Sequence, residues 1–377
     1  MKKDNYKRTI SKAFLKKVTV FLICVNLFFA IPQNAHALSV SAVSAVVIEA
    51  KSGDIIYEKN AHMRKGMAST TKIMTAICAI ENMPVETVIT VSSDAVGVEG
   101  SSIYLKAGEK LSLSELLYAL MLQSANDAAA AIAIAVGGSI EGFANIMNAK
   151  ALSLGLKDTH FENPHGLDGK QHYTTAYELA KISAYALQNE TFSHIVSTVT
   201  HTIPASELSP ARTLVNHNRL LRMYDDVIGV KTGFTKKCGR TLVSAANRED
   251  VTLVCVTLDD GNDWQDHRAM LDYGFAMYQG EAICTEGELS FLLPVVGGVT
   301  NNVCASNRSG LFLSLPKDHS EIITKVELPR FIYAGQGKES PIGIVRFFCD
   351  GSEIGSVDIY LNEKIDKKTS RAGIFRK

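Results

Sequence analysis

Apolar and polar positions fall into three textures along the chain. Residues 42–50 and 55–57 are short apolar runs rich in β-branched side chains, separated by Lys51-Ser52-Gly53-Asp54, and together they predict a β-hairpin. From 69 to 83 the pattern turns helical and almost uniformly apolar, through Ile73, Met74, Ala76, Ile77, Ala79 and Ile80, and Pro84 stops it. A helix that is apolar on every face is a central, buried one. Ser112-Leu113-Ser114-Glu115 fits a capping box, opening a helix through Leu116, Leu117, Leu120 and Met121 that halts near Gln123. After the polar break Ser124-Ala125-Asn126-Asp127, residues 128–136 predict a further apolar helix closed by Gly137-Gly138, and 143–154 another closed by Gly155. Residues 69–190 are therefore expected to be mainly helical.

Strand character returns at 227–230, 241–246 and 251–258, with Lys236-Lys237 and Asn247-Arg248-Glu249-Asp250 as turns, and a last helix is expected over about 264–278. Strands at both ends with helices between them predict an α+β unit whose two ends share one antiparallel sheet flanked by helices. Beyond Gly280, short alternating runs at 311–315, 322–328, 342–348 and 356–360 are punctuated by Gly, Asn and Asp and predict a small β-rich domain.

The N-terminus has a different logic. Lys2, Lys3, Lys7, Arg8, Lys12, Lys16 and Lys17 precede an apolar stretch at 18–31, followed by the small-x-small sequence Ala35-His36-Ala37. That order predicts an export signal cleaved after Ala37, placing the mature chain outside the cytoplasm, in the envelope or secreted. The apolar stretch is interrupted by Asn26 and closed by Pro32, short of the ~20 residues a spanning helix needs. The expected division is a signal peptide at 1–37, a main domain at 38–279, a β-rich domain at 280–367 and a charged tail at 368–377. Residues 363–377 are charged and nearly devoid of apolar side chains, so no C-terminal amphipathic membrane anchor is expected.

Composition narrows the function. Apolar residues make up 46% of the 377 positions against 21% charged, ample for a buried core. Lys plus Arg equals Asp plus Glu at 39 each, which argues against a broad basic field and hence against a nucleic-acid partner. Cys24 follows Ile23 and not a small residue, so lipid attachment there is not expected. Cys78, Cys238, Cys255, Cys284, Cys304 and Cys349 are widely and irregularly spaced, without the CxxC pairs of a zinc site. They are expected to be buried small hydrophobes; a Cys304–Cys349 bridge fits the C-terminal part, but spacing does not establish it. His-Glu-x-x-His is absent and the histidines are scattered, so neither metal nor cofactor is expected.

Three short motifs carry the candidate chemistry. Ser69-Thr70-Thr71-Lys72 opens the buried helix, and residues three apart share a helix face, so the Lys72 amine can reach the Ser69 hydroxyl and take its proton. A helix start also supplies free N–H groups for negative charge on a substrate oxygen. To act as base the lysine must be neutral: moving its pKa from ~10.4 to about 7 takes roughly 4 kcal/mol of desolvation and like-charge repulsion. Ser124-Ala125-Asn126 occupies the break between two helices, where a hydroxyl and an amide can face a cleft. By itself it reads as an ordinary helix cap. Lys231-Thr232-Gly233 ends the strand expected at 227–230, where Gly233 would let a substrate backbone approach closely, Lys231 supplies a second cation and Thr232 a donor. Each motif alone has a bland explanation, as a solvated helix start, a cap or a turn lysine. All three in this order, each in a fitting context, do not.

With these residues in hand the chain resembles the low-molecular-mass penicillin-binding proteins, specifically the serine D-Ala-D-Ala carboxypeptidases. The likeness includes Ala68-Ser69-Thr70-Thr71-Lys72-Ile73-Met74-Thr75, Leu122-Gln123-Ser124-Ala125-Asn126-Asp127-Ala128, His165-Gly166-Leu167-Asp168 and Gly229-Val230-Lys231-Thr232-Gly233-Phe234-Thr235, and covers about 43–278. It implies a serine β-lactamase/transpeptidase-like domain at 38–279. It also implies an acyl-enzyme on Ser69, Lys72 as base and Ser124 as proton relay. Asn126, Lys231, Thr232 and Gly233 would line the substrate, with an oxyanion hole from the N–H groups of Ser69 and Phe234. The implied partners are peptidoglycan stem peptides and, as covalent inhibitors, β-lactams.

One departure stands out. The family often carries an arginine ahead of its last catalytic-domain helix that helps bind the terminal carboxylate, and this chain reads Gly261-Asn262-Asp263-Trp264 there. His165 is expected to serve a tight loop and not as a triad histidine. Rival readings are a serine β-lactamase, for which Glu162 is the tempting deacylation carboxylate, a penicillin-binding module that acylates without turnover, and a structural envelope protein.

Overall fold

Strand β1 (Ser44–Glu49) is buried at all six residues, its apolar centre Ala45-Val46-Val47-Ile48 being that of a strand covered on both faces. It turns back into β2 (Ile55–Lys59), with Glu49 Oε2 accepting the Lys51 and Ser52 N–H groups at 2.8 and 2.7 Å. The computed structural model describes residues 38–368. The export signal expected at 1–37 and the charged tail, beyond Lys368, lie outside the described residues.

Far along its length the chain rejoins this hairpin through β7 (Val227–Thr235), β8 (Gly239–Arg248) and β9 (Val251–Leu258). The resulting antiparallel sheet has the order β2-β1-β9-β8-β7, so the two ends of the unit do share one sheet and β7 forms an open edge. Between them lie helices α1 (Lys72–Asn82), α2 (Leu113–Leu122), α3 (Asn126–Gly137), α4 (Ile140–Ser153), α5 (Ala176–Leu187) and α6 (Glu190–Ser197). Helix α1 is buried over residues 72–79 and packs at the centre, with Ile73, Ile77, Leu116, Leu120, Ile132, Phe143, Ile182 and Phe192 in one core with Val46, Val243, Val254 and Val256 of the sheet. Fully burying one such side chain contributes about 1.5–3 kcal/mol.

Local chemistry sets the helix ends. Ser112 Oγ accepts the Glu115 N–H at 3.2 Å while Glu115 Oε2 accepts the Ser112 N–H at 2.8 Å, the capping box read from the sequence. Helix α4 starts at Ile140, three residues earlier than its apolar pattern, because Ser139 Oγ caps the Gly142 N–H. The mainly helical stretch is interrupted by the hairpin of β3 (Val88–Thr90) and β4 (Lys110–Ser112), and is followed by that of β5 (Thr200–Ile203) and β6 (Arg212–Val215). A single turn, α7 (Leu220–Met223), leads into β7, and α8 (Asp263–Met277) covers the sheet after β9.

One boundary matters for the site. Lys231-Thr232-Gly233 does not end the strand: β7 runs through it to Thr235, because pairing with β8 continues from Lys231↔Val243 to Thr235↔Gly239.

The C-terminal segment is β-rich. Strand β10 (Tyr278–Cys284) pairs with β13 (Leu311–Pro316). A second sheet, ordered β14-β16-β17-β12-β11-β15, joins β11 (Ser290–Val296), β12 (Asn302–Asn307), β14 (Ile323–Glu327), β15 (Ile332–Tyr333), β16 (Gly343–Cys349) and β17 (Ser352–Leu361). Its core, with Val303, Val345, Phe347 and Ile359, is separate from the first. Cys304 is exposed, Cys349 is buried, and both are free thiols, so no bridge joins them.

Candidate active site

Ser69 lies in a 3-10 turn, Ala68–Thr71, that feeds directly into α1, and not in the first turn of the α-helix itself. The turn begins with Ala68 in the left-handed region at φ +47°, which costs a β-carbon-bearing residue of order 1 kcal/mol. Side chains hold it there. Thr70 Oγ1 donates to the Met67 carbonyl at 2.5 Å and Thr71 Oγ1 to the Ala68 carbonyl at 2.8 Å. His172 Nδ1 accepts the Glu162 N–H, so its Nε2 carries the proton and donates to Thr71 Oγ1 at 2.8 Å. Behind the turn runs Gly166, at φ +87°, where an added Cβ would fall 1.9 Å from the Ala68 carbonyl oxygen.

Lys72 is fully buried, and three oxygens surround its Nζ: Asn126 Oδ1 at 2.7 Å, the His165 carbonyl at 2.5 Å and Ser69 Oγ at 3.2 Å. Two of these, being carbonyl oxygens, only accept. A neutral amine gives its two hydrogens to them, and its lone pair is left facing the one partner that owns a proton, the Ser69 hydroxyl. Burial, then the charge of Lys231, lower the Lys72 pKa well below the ordinary lysine range, while Asp127 pulls weakly the other way. Lys231 is also buried, donates to the Thr232 carbonyl at 2.9 Å, and is lowered to about 7 by burial.

Ser124 and Asn126 come from the break between α2 and α3, where Ser124 adopts φ +59°. Asn126 does two jobs. Its Oδ1 meets Lys72, while its backbone N–H and Nδ2 bond the Ser101 and Glu99 carbonyls at 2.7 and 2.5 Å. Asp127 clips the same loop from the other side, accepting from Ser102 Oγ at 2.6 Å and from the Ile103 and Leu105 N–H groups. Ser101 thereby reaches the cleft. The sequence reading missed it, because nothing in the loop's own composition says what will pin it.

Edge strand β7 forms the facing wall. An added Cβ at Gly233 would sit 2.4 Å from Thr241 Oγ1, 2.9 Å from Ser69 N and 3.1 Å from Thr70 N. The glycine is thus required by the protein's own serine turn, whatever approaches from the cleft side. Between turn and edge lies a cleft of about 500 Å³, bordered by Ser69, Ser124, Thr232, Gly233 and Phe234, with Phe234 65% exposed at its mouth. All eight residues singled out from the sequence gather around this space: Ser69, Ser124, Thr232, Gly233 and Phe234 on the surface of the cleft, and Lys72, Asn126 and Lys231 behind it. The cleft also contains groups to which the sequence assigned no role, notably Arg219, Arg222, Arg240, Asp263 and Trp264.

Comparison with known proteins agrees with this geometry. The family model for D-alanyl-D-alanine carboxypeptidases matches residues 31–262. The chain belongs to the D-alanyl-D-alanine carboxypeptidase family. The Bacillus subtilis D-alanyl-D-alanine carboxypeptidase DacF is 28% identical over 345 residues, covering 89% of this chain and 88% of the relative. A Streptomyces D-alanyl-D-alanine carboxypeptidase is 33% identical over 258 residues, covering 63% and 89%. Among solved structures, penicillin binding protein 5 from Haemophilus influenzae superposes with a TM-score of 0.66 at 26% identity, covering 87% of this chain and 98% of that one.

In this carboxypeptidase two histidines, His165 and His172, bond to residues of the Ser69 turn and its helix. His165 contributes its backbone carbonyl to Lys72, and burial, followed by the charge of Lys72, holds its ring pKa down at about 3. His172 is lowered to about 4, chiefly by burial. Glu162 is not part of the cleft wall. Its carboxylate packs against Gly169, where Oε2 would lie 1.6 Å from an added Cβ.

Proposed function

We propose that this serine D-Ala-D-Ala carboxypeptidase removes the terminal D-alanine from peptidoglycan stem peptides through an ester on Ser69. The observation that carries the reading is the place of the buried Lys72 Nζ, 3.2 Å from Ser69 Oγ with two carbonyl oxygens as its other partners; a neutral amine there gives its two hydrogens to the carbonyls and turns its lone pair to the Ser69 hydroxyl. Lys72 takes the hydroxyl proton as Oγ attacks the carbonyl carbon of the penultimate D-alanine, and the carbonyl electron pair moves onto oxygen. The N–H groups of Ser69 and Phe234 receive that oxyanion. Collapse breaks the peptide bond, and the leaving amine takes a proton passed from Lys72 through Ser124. Water activated by the same lysine then cleaves the ester. Asn126, Lys231 and Thr232 hold the peptide, and no cofactor enters the scheme. A β-lactam would acylate the same serine and block it.

Exported, the enzyme would trim pentapeptides in the cell wall and so limit cross-linking. Residues 38–279 would form its catalytic domain and 280–367 a separate β-rich domain. Among the described residues no single helix is long and apolar enough to cross a membrane.

Intact-mass measurement after treatment with a penicillin tests the reading: one adduct on the parent and none on Ser69→Ala is expected. A long-lived adduct separates it from a β-lactamase, which would regenerate free enzyme quickly. Release of D-alanine from diacetyl-lysyl-D-Ala-D-Ala separates it from a module that acylates without turnover.

A further inference from the structure

A carboxypeptidase must hold a peptide whose last residue ends in a free carboxylate, and three arginines, Arg219, Arg222 and Arg240, border the space beside Ser69. They differ in how firmly they are held. Among the described residues the Arg219 guanidinium has no bonded partner, and that of Arg222 makes a single bond, from Nη1 to the Asn216 carbonyl at 3.1 Å. Arg240 is gripped at two points: Nε donates to Asp263 Oδ2 at 3.0 Å and Nη2 to Asp263 Oδ1 at 3.1 Å. A two-point contact fixes the plane of the fork, so little rotamer entropy remains to be lost on binding.

Its placement fits as well. Arg240 stands directly across from Phe234 in the β7–β8 register, on the face that Phe234 shares with Thr232 two residues away. Asp263 is 4% exposed and opens α8, where the helix N-terminus favours its negative charge and the Trp264 N–H donates to Oδ1 at 3.0 Å. The carboxylate is thereby partly compensated by its own helix, and the guanidinium keeps positive charge for the cleft. Among the described residues Nη1 of Arg240 has no bonded acceptor, and the side chain is 46% exposed, open to a ligand.

We propose that Arg240 is the specificity residue for the substrate's terminal carboxylate, and that Asp263 is the positioning residue that aims it. The cation comes from β8, across the sheet edge, and not from the segment 261–264 ahead of the last helix. This inference rests on the carboxypeptidase reading of the Ser69 cleft.

The test compares benzylpenicillin with its methyl ester, which masks the carboxylate, as acylating agents followed by intact mass. On Arg240→Gln, acylation by the free acid should slow roughly 10- to 100-fold while acylation by the ester is unchanged, because a charge-assisted bond is lost only for the acid. With diacetyl-lysyl-D-Ala-D-Ala the loss should fall mainly on KM. Arg240→Lys, which keeps charge but not the fork, should recover part of the difference, and Asp263→Asn should weaken acid selectivity less than Arg240→Gln does. Equal slowing of acid and ester, or an unchanged ratio between them, overturns the proposal. Absence of any Ser69 adduct on the parent would instead strike the underlying reading.

Discussion

A single methyl group at Gly233 should separate stability from catalysis. Built on the backbone, the Cβ of Gly233→Ala lies 2.9 Å from Ser69 N and 3.1 Å from Thr70 N, and 2.4 Å from Thr241 Oγ1. Comfortable contacts between heavy atoms start at about 3.5 Å, so the serine turn must retreat from β7 by roughly half an ångström. Overpacking of this kind costs about 1–3 kcal/mol of stability. The effect on chemistry is larger, because the displaced atom is the Ser69 amide, one of the two donors proposed for the oxyanion. Loss of one such donor slows acyl transfer about 10²- to 10³-fold. The second-order rate of labelling by a fluorescent penicillin reads this directly, beside a thermal melt of the same sample. A double variant that adds Thr241→Ala removes the nearest clash but not the one with Ser69. It is expected to melt no lower than Gly233→Ala alone, yet to label as slowly. Labelling within about fivefold of the parent by a folded Gly233→Ala protein would refute the idea that β7 sets the position of the Ser69 amide.

Three further outcomes are expected. Lys231→Met removes the like charge that helps keep Lys72 deprotonated, so the acid limb of the acylation pH profile should move to higher pH; an unmoved limb, with only the maximum lowered, contradicts that coupling. Gly166→Ala would drive a Cβ into the Ala68 carbonyl at 1.9 Å in a left-handed position. It should lower stability by about 3 kcal/mol or more in denaturant melts, and a loss under 1 kcal/mol would show that the loop can move aside. His165, His172 and His267 are buried neutral, with pKa values of about 3, 4 and 3 against 6.5 when unfolded. The unfolded chain therefore binds protons first as pH falls. Their contribution is complete above pH 6.5 and is lost as pH falls from there to about 4 for His172 and about 3 for His165 and His267, at roughly 1.4 kcal/mol per unit for each histidine. Urea midpoints at pH 7 and pH 5 check the slope, which His267→Gln should flatten.

The main features of the fold were legible because they follow from local rules. Apolar runs give β1 and the centre of α1, a capping box starts α2, and glycines close α3 and α4. Boundaries that depend on a partner strand were not: β7 continues through Lys231-Thr232-Gly233 only because β8 pairs with it, and neither short hairpin within the main unit announces itself.

The same division holds for the site. By itself the sequence determined which groups are available, a hydroxyl and an amine three residues apart, a second lysine and an amide, since spacing along one element fixes who shares a face. The tertiary structure decided their chemistry. Whether Lys72 can be a base depends on burial and on a lysine from a strand 159 positions away, and the cation offered to the substrate, Arg240, owes its aim to an aspartate on a different element. Electrostatic strength depends on distance and on exclusion of water, and both are set only when distant segments meet.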